Sequence, residues 1–166
     1  MRLIADKLYN ARAMIALDLP DEAATVALAD RIARLAQPGD IIALKGDLGT
    51  GKTTFARAFI RACGDPEEEI PSPTFTLVQI YDLHPAVWHF DLYRLRGSEE
   101  AWELGIEEAF SDGISLIEWP ERLGTLLPER RLEICFSFGD RPDARRATLD
   151  PGEGWRSRLA VTEADA

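Results

Sequence analysis

Gly46-Asp47-Leu48-Gly49-Thr50-Gly51-Lys52-Thr53 decides the reading of this chain. The stretch matches the phosphate-loop pattern G-x-x-x-x-G-K-[ST] at every fixed position. Its flanks agree. Ile41-Ile42-Ala43-Leu44 leads in as a buried strand, and Thr54-Phe55-Ala56-Arg57-Ala58-Phe59-Ile60 leads out as a helix. Glycines let such a loop curl so that its N–H groups point inward at phosphate oxygens. The helix N-terminus adds unpaired N–H groups and partial positive charge. Lys52 is placed to reach the β- and γ-phosphates, and the Thr53 hydroxyl to ligate Mg²⁺. Gly46, Asp47, Leu48, Gly49, Thr50, Gly51, Lys52, Thr53 and Thr54 are thus candidate nucleotide contacts.

Working outward, the chain reads as one α/β domain. Residues 14–19 form a first strand, and Pro20-Asp21 opens a helix to about Gln37. In it Ala24, Leu28, Ile32 and Leu35 make one apolar stripe. Pro38-Gly39 ends it before the phosphate-loop strand, and the next helix reaches about Cys63. Residues 64–73 hold three prolines, a glycine and an acidic run, so they form no regular element. Residues 76–82 and 86–94 read as a hairpin around Leu83-His84-Pro85. Ser98 is placed to cap a short helix through Leu104, with Gly105 ending it. Residues 114–119 form a buried strand, and 120–128 a helix or turn. In residues 131–138, Leu132, Ile134, Phe136 and Phe138 alternate as in a half-buried strand, and residues 145–150 read as a weaker strand placed to pair with it. Trp155 and Leu159 suit a short docked helix. The expected fold is a P-loop-type, mainly parallel sheet flanked by helices, with some antiparallel strands. Residues 1–13 form an N-terminal extension, 14–160 the domain and 161–166 a frayed tail. A ligand belongs at the C-terminal ends of the parallel strands.

Composition narrows the function classes. The 166 residues are 46% apolar, and 29 acidic against 19 basic residues leave a net charge of −10. That balance opposes broad, unaided nucleic-acid binding, which needs a basic surface. Cys63 and Cys135 show no C-x-x-C spacing and read as reduced, partly buried thiols of a cytoplasmic protein. No signal-peptide pattern opens the chain, and no apolar run is long enough to span a membrane.

Three further positions complete the chemistry. A phosphate loop works with an acidic residue at a neighbouring strand end, which holds Mg²⁺ directly or through water. Asp91, after Val87-Trp88-His89-Phe90, ranks first, ahead of Asp82 and of Asp47 within the loop. Glu118 follows Ile114-Ser115-Leu116-Ile117 and is placed to orient an attacking water or to join Thr53 and Asp91 at the metal. Trp119 either walls the pocket or packs in the core. Thr74, between the prolines and the hairpin, is placed where a switch hydroxyl would sense a γ-phosphate. His89 reads as a structural strand histidine, and the arginines at 141–146 as a solvated hairpin.

Four blocks in order now carry a resemblance. They are residues 46–54, then Ser72-Pro73-Thr74-Phe75-Thr76-Leu77, then His89-Phe90-Asp91-Leu92-Tyr93-Arg94-Leu95, then Glu118-Trp119-Pro120-Glu121. Over about residues 15–150 the chain resembles the TsaE (YjeE-type) family, small bacterial ATPases needed for threonylcarbamoyladenosine on tRNA. The resemblance implies ATP and Mg²⁺ as cofactors, with Lys52 and Thr53 at the phosphates and the metal. It implies Thr74 in a switch-like loop, Asp91 at the Mg²⁺-linked position, and Glu118 at the position linked to hydrolysis, beside Trp119. It also implies TsaD- and TsaB-like partners, with tRNA contacted only indirectly through them. Thr50 stands where the family often has alanine, which a loop working through backbone N–H groups tolerates. A small-molecule kinase with Arg122, Arg130 and Arg131 as a lid remains an alternative. So does a nucleotide-binding assembly factor that needs no hydrolysis. A GTPase would need N-K-x-D, which is absent.

Overall fold

A computed structural model of the chain describes residues 13–164. The N-terminal extension expected over 1–13 therefore lies almost wholly outside the described residues. In chain order the elements are β1 (Ile15–Leu19), α1 (Glu22–Leu35), β2 (Ile41–Lys45), α2 (Lys52–Cys63), β3 (Val78–Tyr81) and β4 (Val87–Asp91). They continue with α3 (Glu100–Glu103), α4 (Ile106–Asp112), β5 (Ile114–Glu118), a 3₁₀ segment (Pro120–Leu126), β6 (Leu132–Phe138), β7 (Arg145–Pro151) and α5 (Trp155–Ala164). That last helix passes the domain boundary placed at 160 from the sequence.

One seven-stranded sheet runs β1-β7-β6-β2-β5-β4-β3. Its centre, β6-β2-β5-β4, is parallel throughout. Antiparallel strands close both flanks: β7 and β1 on one side, β3 on the other. The strand pattern explains the layering. Ile42 and Leu44 of β2 enter one apolar cluster with α1, α2 and α5, whereas Ile41 enters a second with α3 and α4. Strand residues alternate between faces, so helices cover both sides of β2, β4 and β5, and these strands are buried along their length.

Local signals account for most boundaries. The Asp21 carboxylate accepts from Ala24 N–H at 2.9 Å and caps α1. Segment 64–77 contains no helix or strand, as its prolines require. It is nevertheless pinned: Ile70 is buried, and Arg57 and Arg61 donate to the Ile70 and Glu68 carbonyls.

Four local readings need correction. Ser98 does not cap α3; Glu99 stands at that position with no side-chain bond. Gly105 ends α3 but also begins α4, a helix the sequence reading omitted. Its Ile106, Ala109 and Phe110 do recur at i, i+3, i+4, but seven residues are too few for a strong periodic signal. Phe138 is 54% exposed, because alternation toward the core stops at Phe136. Cys135, on the opposite face of β6 from Ile134 and Phe136, is exposed rather than partly buried. Among the described residues, no helix is long and apolar enough to cross a membrane.

Candidate functional site

The loop between β2 and α2 is built around its glycines. Gly46 has φ +134°, and a Cβ there would collide with the Phe136 carbonyl of β6, so only glycine fits. Gly51, at φ +109°, precedes α2 and points its Cβ position into open space. Thr50 turns inward, 1% exposed, and its hydroxyl donates to the Asp47 carbonyl at 2.7 Å. Lys52 is the first residue of α2. Its Nζ donates to the carbonyls of Gly46 and, at 2.8 Å, Asp47, and lies 4.2 Å from the Trp119 ring centroid. Burial pushes the Lys52 ammonium below its ordinary pKa, and the charges of Glu118, Glu121, Asp47 and Asp91 oppose that fall.

Two carboxylates reach this loop from neighbouring strands. Strand register sets Asp91 of β4 directly beside Glu118 of β5, both at C-terminal strand ends. Glu118 Oε1 accepts from the Thr53 hydroxyl at 2.7 Å. Its Oε2 lies 2.7 Å from His89 Nε2, and both side chains are buried. Asp91 Oδ1 accepts from Tyr93 N–H at 3.1 Å, and Oδ2 from the Thr74 hydroxyl at 3.3 Å. Thr74 Oγ1 sits 2.8 Å from Ser72 Oγ. Burial raises the Asp91 carboxyl above its usual pKa, with the Glu118 charge adding to the rise; the bonds from Tyr93 and Thr74 oppose it. Trp119 leaves the sheet at φ +58° and packs on Tyr93, ring centroids 5.0 Å apart.

These groups border a cleft of about 380 Å³. Leu48, Gly49, Gly51, Lys52, Thr53, Thr54, Thr74, Asp91, Glu118 and Trp119 line it, so the structure brings these candidates together. Gly46, Asp47 and Thr50 stand behind the lining as support. The sequence reading missed its other wall: Glu22 and Thr25 of α1, Ser72, Tyr93, and Asp143 and Arg145 before and within β7. Arg145, assigned to a solvated hairpin, donates to the Gly49 carbonyl at 3.2 Å. No local pattern marks such contacts, which arise from strand order alone. His89, read as merely structural, is the partner of Glu118.

Topology also settles the runners-up. Tyr81 pairs with Val87, so Asp82 lies beside the start of β4, at the opposite end from Asp91. Arg131 bonds Glu133 and the Pro128 carbonyl, and Arg130 reaches Gly39; both sit at the N-terminal ends of β2 and β6. Only Arg122 of the three lid candidates lies near the cleft, with its guanidinium 6.0 Å from the Tyr93 ring.

The groups that could hold a divalent cation here are the Thr53 hydroxyl and the Asp91 and Glu118 carboxylates. Among the described residues no group of three or more His, Cys, Asp and Glu side chains is arranged around a metal. A few hard oxygens with positions left for water and phosphate suit Mg²⁺, which seldom takes an all-protein cage.

Comparison with known proteins agrees with this geometry. The model of the family described as threonylcarbamoyl adenosine biosynthesis protein TsaE matches residues 19–147. A Rickettsia bellii protein of that name is 45% identical over 74% of this chain and 85% of its own. Its Bacillus subtilis counterpart is 40% identical over 78% of this chain and 80% of its own. The crystal structure of Bacillus subtilis YdiB matches at TM-score 0.73 and 28% identity, over 93% of this chain and 98% of that one. With its family pattern spanning the cleft and most of the sheet, this chain belongs to the TsaE family.

Proposed function

We propose that the chain binds ATP with Mg²⁺ in this cleft and hydrolyses it in support of threonylcarbamoyladenosine formation on tRNA. The observation that carries the reading is convergence. The phosphate-loop sequence, Lys52, Thr53, Asp91 and Glu118 meet at one end of the parallel strands. The curated relatives are named for this tRNA modification.

Each residue then has a task. The loop N–H groups and the start of α2 receive phosphate oxygens. Lys52 exchanges two loop carbonyls for phosphate oxygens, a better partner for a buried ammonium. The Thr53 hydroxyl donates its hydrogen bond to Glu118, which leaves its oxygen lone pairs free to face a cation. Glu118 orients the attacking water, Asp91 flanks the metal position, and Thr74, bonded to Asp91, stands where a switch hydroxyl would respond to a γ-phosphate. Thr53, Asp91 and Glu118 would hold Mg²⁺, which would supply positive charge to offset the negative charge developing on the phosphates. TsaD- and TsaB-like proteins are the proposed partners, and hydrolysis resets their complex between rounds. A net charge of −10 suits a cytoplasmic protein that leaves tRNA to those partners.

Titration calorimetry of ATP·Mg²⁺ into wild type and Lys52→Ala tests the reading. Wild type should bind saturably, and the folded variant should give no binding heat. Unchanged affinity in a folded variant would remove the phosphate role of the loop.

A further inference from the structure

The buried His89–Glu118 contact asks for a function beyond packing. His89 is fully buried on β4, one strand away from Glu118, and its Nε2 is 2.7 Å from Glu118 Oε2. Its Nδ1 is buried with no hydrogen-bond partner among the described residues. A proton on Nδ1 would have nothing to meet, so the ring carries its proton on Nε2 and donates it to the carboxylate. Glu118 is then held at both oxygens, by His89 at Oε2 and by Thr53 at Oε1. A carboxylate so gripped cannot rotate about its last torsion. Oε1 is the oxygen that meets Thr53 of the loop.

We propose that His89 is a positioning residue, which fixes the Glu118 carboxylate so that its Oε1 and the Thr53 hydroxyl present one preset pair of oxygens to Mg²⁺ and water. The inference rests on the ATP·Mg²⁺ reading of the cleft and adds a residue to it. Three observations favour it over simple core filling. The histidine is polar in a strand whose neighbours Val87, Trp88 and Phe90 are apolar and buried. It leaves one ring nitrogen unpaired, which an apolar residue of similar size would not. Its one strong bond goes to the carboxylate that faces the loop. Outer groups that orient a metal-binding carboxylate commonly change metal affinity or activity about 10- to 100-fold when lost.

The test compares His89→Gln, whose amide nitrogen takes the place of Nε2, with His89→Asn, whose amide reaches only the Nδ1 position. His89→Leu is added to keep volume without a donor. Melting temperatures establish which variants fold. ATP titrations without metal and across a Mg²⁺ series give the Mg²⁺ requirement, and steady-state hydrolysis separates kcat from KM. His89→Asn and His89→Leu should bind metal-free ATP as wild type does. They should need about 10- to 100-fold more Mg²⁺, with kcat falling similarly and KM at saturating Mg²⁺ little changed. His89→Gln should recover most of both losses. Wild-type Mg²⁺ dependence and kcat in folded His89→Asn would overturn the inference. Equal impairment of Asn and Gln variants would overturn it too, since volume and not the donor would then matter. If His89→Leu does not fold, the Asn–Gln pair decides alone. A wild type that binds no ATP·Mg²⁺ overturns the underlying reading and this inference together; intact wild-type binding with unaffected variants overturns the inference alone.

Discussion

The two ends of β2 each carry a polar cluster, and the clusters differ in how completely they are satisfied. Before the strand, Asp40 meets Arg158 of α5 through two parallel bonds of 2.7 and 2.9 Å. Arg158 also donates to the Leu35 and Gly154 carbonyls and lies 4.1 Å from the Trp155 ring centroid. Asp40 further accepts from Gln37 N–H. All three guanidinium nitrogens of Arg158 have an acceptor, and the result ties the last helix to the sheet. After the strand, Lys52 is buried against its own loop, Asp91 is pushed toward protonation, and His89 Nδ1 finds no partner among the described residues. A well-paired cluster stabilises a fold. One whose buried ionisable groups are shifted from their ordinary pKa, gathered at strand ends, is poised for a ligand.

Breaking either cluster should have opposite consequences. The largest expected effect is on function at the cleft. Glu118→Gln should leave ATP binding near wild type and lower kcat by about 10²- to 10⁴-fold, as loss of a water-orienting carboxylate does. Steady-state hydrolysis with parallel calorimetry checks this. In the reconstituted modification reaction, the same variant should complete one round and fail to sustain many. Sustained rounds at the wild-type rate would favour the assembly factor that needs no hydrolysis.

At the other end the expected effect is on stability. Arg158→Ala leaves the Asp40 carboxylate without its guanidinium, where each side chain is less than one-fifth exposed. Removing one partner of such a pair should cost about 3 kcal/mol. For a chain of this size that lowers Tm by roughly 6–12 °C, with ATP affinity of the folded fraction unchanged. A loss of affinity without a loss of Tm would erase the distinction between the two ends.

Asp91→Asn sharpens the comparison with a smaller, reversed shift. Burial raises the Asp91 carboxyl, so the native state holds that proton at pH values where the unfolded chain has lost it. The penalty is absent below the ordinary carboxylate range and complete above the raised native pKa. Stability contributed by this group therefore falls as pH rises through that window. In Mg²⁺-free buffer at neutral pH, Asp91→Asn should raise Tm by a few degrees and flatten that fall, while Mg²⁺-dependent hydrolysis drops. Melting curves against pH, beside ATPase rates across a Mg²⁺ series, report both.

The smallest effect belongs to the solvent-exposed wing. Arg146 bridges Asp18 and Asp140, and all three side chains are more than half exposed. Arg146→Ala should change stability by less than about 1 kcal/mol, because solvent screens such pairs. Chemical denaturation would show it.

These contrasts follow how legible each part was in the sequence. The loop was readable because its requirements are local: glycine where φ is positive, a lysine and a hydroxyl at the helix start. Asp91 and Glu118 were readable because buried parallel strands that end in a carboxylate aim it at the ligand crevice. α4 was missed because it is shorter than its periodic signal needs. Arg145 and Thr25 were missed because the hairpin and α1 reach the cleft only through the strand order.

What the sequence by itself determined, then, was the set of groups whose geometry is dictated by neighbours along the chain: the loop, the strand ends and the helix cap at Asp21. Tertiary structure alone decided which distant groups meet. It placed Asp82 at the wrong end of the sheet by making β3 antiparallel, and sent Arg130 and Arg131 away from the cleft. It also set His89 against Glu118, for a reason no local pattern expresses. Parallel register between β4 and β5 fixes which side chains are neighbours, and that register exists only once the sheet has formed.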